Sequence, residues 1–266
     1  MITRKRLFYD IEVSFCEGSF WRTGWNQTIM PHQLIKYPQI ICISWKWEGE
    51  DEVHNLDWGL KKQCDKSLVE KFIKIMDSAD EIIGYNSKRF DTKWVRTRAV
   101  FHNIPMRHTY NEIDVLSWVK KYLTLPAGNK LAEACRYFEL ELKLDAGGMQ
   151  TWYNVVLNKN KEALDHMLTY CDGDIKSLEA LFNKLEPYAR PNMHYGVLRG
   201  GGHKFSCPTC GTNQIRVRNT YTTANGTIQH YMSCQNKSCQ TRGTTYKVNN
   251  KTYMDYLQYK IINNIK

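Results

Sequence analysis

Apolar residues crowd residues 5–13, KRLFYDIEV, where Leu7, Phe8, Tyr9, Ile11 and Val13 predict a buried strand. Residues 39–48 (QIICISWKWE) repeat that character, and residues 53–56 predict a third, paired strand. The period then changes. Leu68, Phe72, Ile75 and Met76 recur at helical spacing over residues 67–76, with Ser67 as the expected cap. Ile82 and Ile83 predict a short strand, and Gly84 allows a tight exit. From Asp91 and Thr92 a helix opens with Trp94, Val95 and Ala99 on one face. Residues 108–113 predict a strand ending at Asp114, residues 115–122 and 130–138 two helices, and residues 145–148 a turn. The longest stripe, from Leu164 through Met167, Cys171, Ile175 and Leu178 to Leu185, predicts a helix over residues 161–185 that Pro187 and Pro191 end. Residues 14–38 have no clear period and predict a long loop, whose Phe20, Trp21 and Trp25 suit either base stacking or packing over the core.

A second pattern begins after the stripe. Residues 191–204, with Gly200, Gly201 and Gly202, read as a mobile linker. Cys207-x2-Cys210 follows, then Cys234-x4-Cys239. Two cysteine pairs around a strand-rich spacer have the spacing of a zinc ribbon, in which four thiolates hold one structural Zn²⁺. His203 and His230 are possible substitute ligands, and paired disulfides are the alternative. Residues 214–221 and 227–232 predict two strands joined by Asn225-Gly226, a strong hairpin signal. Residues 253–262 predict a closing helix.

Composition sharpens this division. The 266 residues are 42% apolar and 24% charged, which places the chain among soluble globular proteins of one large domain, or one medium and one small. No apolar run approaches a membrane span, and charges interrupt the basic N-terminus before a signal-peptide core forms. A cytoplasmic, non-secreted protein is expected (host-cell cytoplasm if the source is viral), with its cysteines as thiols or metal ligands. Residues 190–266 hold eleven Lys or Arg and one acid, Asp255, so they carry the whole net charge of +10. The 26 basic and 26 acidic residues of 1–189 cancel. A separate basic module that meets nucleic acid is the reading this asymmetry favours. Arg216 and Arg218 alternate with apolar neighbours, and Tyr221, Tyr231, Lys237, Arg242 and Lys247 extend a basic, aromatic surface for phosphates and bases.

The acids of the N-terminal region carry the candidate chemistry. Asp10 and Glu12 are two apart in a strand and project side by side. Two like charges among apolar neighbours call for a cation, and oxygen ligands suit Mg²⁺ or Mn²⁺; two solvated acids on an edge strand are the alternative. Asp91 sits where a helix starts, as either its N-cap or a third metal-site carboxylate. Tyr170 and Asp174 lie one turn apart on one helix face. Asp114 and Asp172 are left outside the set: Asp114 suits a cap, and Asp172 points to a different helix face from Asp174.

These three segments, D-x-E, N-x-x-x-x-D and Y-x-x-x-D, resemble in order the three motifs of the DEDD 3′–5′ exonuclease superfamily. The middle one, IIGYNSKRFDTKWVRTRA, is most similar to the proofreading exonuclease domain of family B DNA polymerases. Tyr170 four residues before Asp174 matches the tyrosine branch; His166 does not stand where the histidine branch needs it. The resemblance covers roughly residues 5–186. It implies an α/β, ribonuclease H-like mixed sheet flanked by helices over residues 1–190; the cysteine spacing adds a small zinc-ribbon, nucleic-acid-binding module at 204–250 with a helix at 251–266. The resemblance further implies that Asp10, Glu12, Asp91 and Asp174 hold two Mg²⁺ or Mn²⁺ ions around the scissile phosphate, that Tyr170 orients the attacking water, and that Asn86 and Phe90 contact the terminal nucleotides. For Phe90, packing under the helix is the alternative. The polymerase palm motif Y-x-D-T-D is missing, so a stand-alone exonuclease acting on DNA with a 3′ end is implied. RNA stays open as a substrate, replication proteins are the expected partners, and DNA replication, repair or degradation is the setting. An inactive nucleic-acid-binding protein and a structure-selective endonuclease are the alternatives.

Overall fold

The computed structural model describes residues 4–265 apart from 23, 25–27, 141–147, 190–193, 199–201 and 240. The chain divides into two compact units, Arg4–Lys184 and Leu185–Lys266. The turn expected at residues 145–148 and the aromatic Trp25 fall largely or wholly outside the described residues.

The first unit is built on β1 (Arg6–Val13). A small hairpin, β2 (Glu17–Gly18) and β3 (Leu34–Lys36), leads from it to β4 (Ile40–Trp47) and β5 (His54–Asp57). Then follow α1 (Lys66–Asp77), β6 (Glu81–Gly84), α2 (Asp91–Phe101), β7 (Glu112–Asp114), α3 (Val115–Tyr122), α4 (Leu131–Tyr137), α5 (Gly148–Val156) and α6 (Lys161–Leu185). The central sheet has the order β5-β4-β1-β6-β7. β1 runs antiparallel to β4 and parallel to β6, so the sheet is mixed and β1 is its middle strand. A middle strand buries both faces, which is why KRLFYDIEV is apolar at consecutive positions.

The two faces of β1 have different neighbours. Leu7, Tyr9 and Ile11 join Phe72, Met76, Val95 and Ala99 in a core under α1 and α2. Phe8, Asp10 and Glu12 face α6: the ring of Phe8 meets Phe182 edge-on at 5.4 Å, and Arg6 stacks over the same ring at 5.0 Å. Cross-strand partners on β4 continue that face. Asp10 pairs with Ser44, Glu12 with Cys42 and Phe8 with Lys46. Ser44 donates to Asp172 at 2.9 Å and Lys46 pairs with Glu179, so α6 is tied along β4 by polar contacts as well as packing.

The structure corrects several expectations. The cap of α1 is Asp65, not Ser67; its buried carboxylate is used elsewhere, by Arg98, His102 and the Ile40 N–H. The strand expected at residues 108–113 forms only at Glu112–Asp114. The long loop at residues 14–38 contains the β2–β3 hairpin and a short 3₁₀ turn at Pro31–Gln33. Helix α5 is not among the elements expected from the sequence. It is held by contacts remote in sequence, the Trp152 indole donating to the Val13 carbonyl at 3.1 Å and Val155 packing on Ile41 and Trp58.

The second unit holds α7 (Tyr195–Leu198), the sheet β8 (Ile215–Thr222), β9 (Ile228–Cys234) and β10 (Thr245–Asn249), and α8 (Asn250–Ile262). The strand order is β10-β9-β8, antiparallel throughout. Phe205, Ile215, Met232, Val248 and Tyr256 fill the space between sheet and helix. Asn249 caps α8 by accepting from the Thr252 N–H at 2.8 Å. Within the stretch read as a linker, Tyr195 is buried and its N–H donates to the Pro208 carbonyl at 2.7 Å; residues 191–193 and 199–201 lie outside the described residues.

Candidate active site and metal centre

Asp10 and Glu12 lie side by side on the α6 face of β1, both half-buried. Asp91 approaches the same strand from α2. It does not cap its helix: Phe90 occupies the N-cap position, with no side-chain cap bond, and Asp91 is the first helical residue. Its carboxylate instead accepts the Ile11 N–H at 3.2 Å, between the two acids of β1. Asp91 is 3% exposed, and burial together with the negative charge of Asp10 holds its carboxyl well above the usual range. A cation beside it would favour the ionised form.

The loop that delivers Asp91 is built tightly. A side chain at Gly84 would put a Cβ 2.5 Å from the Ser87 Cβ, so only glycine fits there. Asn86 has φ +64°, a left-handed conformation that asparagine tolerates. Its N–H is fixed by the Asp114 carboxylate at 2.9 Å, and the same oxygen caps α3 by accepting from Leu116 at 3.1 Å. Asp114 therefore shapes the loop. The Asn86 side-chain amide makes no hydrogen bond among the described residues, and Phe90 is 42% exposed, touching Trp94 edge-on. Phe90 is thus not packed under the helix.

Helix α6 brings the third segment. Cys171 Sγ lies 3.4 Å from Asp10 Oδ2 and 3.7 Å from the Asp10 carbonyl. Asp174, buried at 8% exposure, is three residues on and so on the same side of the helix; Tyr170, half-buried, is one turn before it. Asp172 is engaged instead with Ser44 and with the Asn55 amide at 3.2 Å.

The donor atoms of Asp10, Glu12 and Cys171 all lie within 4.8 Å of one another. This set accommodates a divalent cation. Asp91 and Asp174 are not part of that group of three. Cys171 is the residue the sequence did not flag: it reads as one more position of the apolar stripe. Its thiol is pushed well up in pKa by a hydrogen bond to Cys42, by burial, and by the charges of Asp10 and Glu12. The β1–β4 register puts Cys42 opposite Glu12, and the packing of α6 on that face of the sheet brings Cys171 to Asp10.

In the second unit, Cys207, Cys210, Cys234 and Cys239 converge with all sulfurs within 4.8 Å. The Cys207–Cys239 and Cys210–Cys234 sulfurs are 3.9 and 3.7 Å apart. Thiolates at ~2.3 Å from a tetrahedral ion stand about 3.8 Å apart, so the four fit one ion. All nine cysteines are free thiols, which removes the disulfide alternative. The histidines are not substitute ligands. His230 bonds Thr220 and Asn250 and stacks on Tyr253, while His203 stacks on Phe205.

The sheet of this unit has an outward face opposite α8. Arg216 pairs with Ser233 on this face; a register shift between Val217 and Asn219 keeps Arg218 on it, against Ser233, and brings Tyr221 to the side that Tyr231 and its partner Lys247 occupy. Tyr221 stacks on Tyr231 at 5.6 Å, and Arg218 donates to Ser233 at 2.8 Å. Lys237 and Arg242 are exposed in the loops around Cys239.

Comparison with known proteins matches residues 37–186 to the RNase_H_2 family model, of the RNase_H superfamily. The chain belongs to the RNase H superfamily. That match begins after β1, so Asp10 and Glu12 enter it through the fold alone. Among solved structures, the RNase H-like chain is similar to the family B DNA polymerase from the hyperthermophilic archaeon Pyrobaculum calidifontis, with a TM-score of 0.53 and 18% identity. The match covers 70% of this chain and 25% of the polymerase, and it speaks to the fold. A search of curated proteins found no match. Among the described residues, no helix is long and apolar enough to cross a membrane.

Proposed function

We propose that this protein is a metal-dependent 3′–5′ exonuclease that hydrolyses DNA from its 3′ end and releases 5′ mononucleotides. One observation carries the proposal. Asp91 binds the Ile11 N–H while Cys171 touches Asp10, so three segments distant in sequence meet on β1 between Asp10 and Glu12. They are the segments that resemble the three exonuclease motifs.

In this account Asp10, Glu12, Asp91 and Asp174 hold two Mg²⁺ or Mn²⁺ ions. When bound, such ions activate water and neutralise charge on a leaving 3′ oxygen. Tyr170 positions the attacking water by hydrogen bonding. Asn86, with its amide uncommitted, and Phe90, exposed at the start of α2, contact the terminal nucleotides. One Zn²⁺ on Cys207, Cys210, Cys234 and Cys239 stabilises the second unit. Its outward sheet face, with Lys237 and Arg242, follows the phosphates of the bound strand. The activity suits DNA replication, repair or degradation.

The test is digestion of single strands labelled at either end, as DNA and as RNA, with Mg²⁺ or Mn²⁺. Immediate loss of a 3′ label, with a 5′-labelled strand shortening stepwise, supports the proposal. Internal cuts indicate an endonuclease, and intact strands that remain bound indicate a binding protein. Preference for RNA would overturn the substrate assignment alone.

A further inference from the structure

A cleft of about 560 Å³ opens in the second unit between the start of β8 and α8. Asn213, Gln214 and Gln235 line one side; Tyr256 and Tyr259 line the other, over Ile215. Its volume falls within the range of small-molecule sites.

Its polar groups are set at fixed angles. The Gln235 Nε2 donates to the Ser233 hydroxyl at 3.1 Å and the Cys234 carbonyl at 3.2 Å, which leaves its carbonyl oxygen uncommitted. The Asn213 carbonyl accepts the Ser206 hydroxyl at 2.6 Å, which leaves its amino group as a donor. The Gln214 side-chain amide and the Tyr259 hydroxyl make no hydrogen bond among the described residues. The Tyr256 hydroxyl donates to the Ile215 carbonyl at 3.3 Å, and the Tyr259 ring rests against Phe205 at 5.3 Å. The aromatic wall is therefore held in place before anything binds.

Adjacent amide donors and acceptors facing an aromatic wall match the edge and the face of a nucleobase. Charge points the same way, since residues 190–266 carry +10. So does position. Gln214 immediately precedes β8, an edge strand of the sheet, and Arg216 follows two residues on, so the cleft opens at the sheet edge beside the first arginine of the basic face. We infer that this cleft takes one unpaired base of a single strand whose phosphates lie along Arg216 and Arg218. The inference rests on the nucleic-acid reading of the preceding subsection and deepens it: the second unit grips a base as well as the backbone.

The experiment measures binding of single-stranded DNA by the full chain carrying Asp10→Asn, without added divalent ions. Strands with bases are compared with strands of the same length built from abasic units. Adding Gln214→Ala and Tyr259→Leu weakens binding of the base-bearing strand about tenfold. Binding of the abasic strand and the salt slope stay unchanged, because no phosphate contact is lost. Gln214→Ala alone, at an exposed position, gives a smaller loss in the same direction without touching the core. Equal losses on both strands, or none on either, overturn the inference. Competition by free deoxynucleoside monophosphate at the strand's own concentration also overturns it, in favour of a mononucleotide site. Base-dependent binding by a chain whose wild type cuts nothing would sink the nuclease proposal alone. Base-independent binding beside stepwise hydrolysis would sink this one alone.

Discussion

Cys171 Sγ lies 3.4 Å from Asp10 Oδ2, so the late helix and the first strand meet as a thiol against a carboxylate. Sulfur among oxygen donors favours softer ions over Mg²⁺. Cys171→Ser replaces it with a hard oxygen. We expect the ratio of the Mn²⁺-supported rate to the Mg²⁺-supported rate to fall several-fold, read from initial rates in each metal. An unchanged ratio would show that the thiol has no part in choosing the ion.

Asp65 anchors the opposite side of the sheet. It is fully buried and accepts two hydrogen bonds from Arg98, at 2.6 and 2.8 Å, as well as the Ile40 N–H. Burial pushes its carboxyl up, but Arg98, His102 and the Ile40 N–H outweigh burial and hold it below its ordinary value. A depressed folded pKa gives stability that is present above the unfolded value and is lost as pH falls through the folded one. Asp65→Ala should therefore cost about 3–5 kcal/mol at neutral pH by stranding Arg98, a melting-temperature drop on the order of 10 °C. The wild-type and variant curves should converge below about pH 4. A constant gap across the acid range would assign the loss to packing.

Much of this was legible in the sequence, and the failures have physical causes. β1, β4 and α6 were readable because each buries a long apolar run or stripe, and the acids stood out against it. Asp91 left two roles open, because a helix-starting aspartate looks the same whether it caps or reaches across to Ile11. Cys171 is invisible for the opposite reason: a thiol suits an apolar stripe, and only the packing of α6 on the sheet places it on Asp10. Ser67 reads as a cap because cap residues are recognised locally, whereas Asp65 serves Arg98, thirty-three residues away. Helix α5 depends on Trp152 reaching Val13, a contact no local pattern encodes.

The four cysteine sulfurs have a separation that suits a single ion, and the unit around them has a small core. Cys210→Ser should remove the metal, found otherwise at one zinc per chain, and loosen the second unit, because metal binding in such modules is folding free energy. Elemental analysis with far-ultraviolet circular dichroism checks this. A zinc-free wild-type protein with an unchanged spectrum would contradict the assignment.

On the outward sheet face, Arg216 and Arg218 offer two phosphate contacts. Replacing both by alanine should lower the slope of log K against log salt by about two and weaken all sequences alike. A slope equal to that of the wild type would move the electrostatic footprint elsewhere.

The central claim is that Asp10 belongs to a site that removes nucleotides from a 3′ end. A time course on 5′-labelled single-stranded DNA with Mg²⁺, wild type beside Asp10→Asn, tests it most directly. The account predicts a ladder that shortens one nucleotide at a time from the 3′ end, 5′ mononucleotides as product, and a rate at least about a hundredfold lower in the variant. A variant that digests at the wild-type rate, or cuts that begin inside the strand, would contradict it.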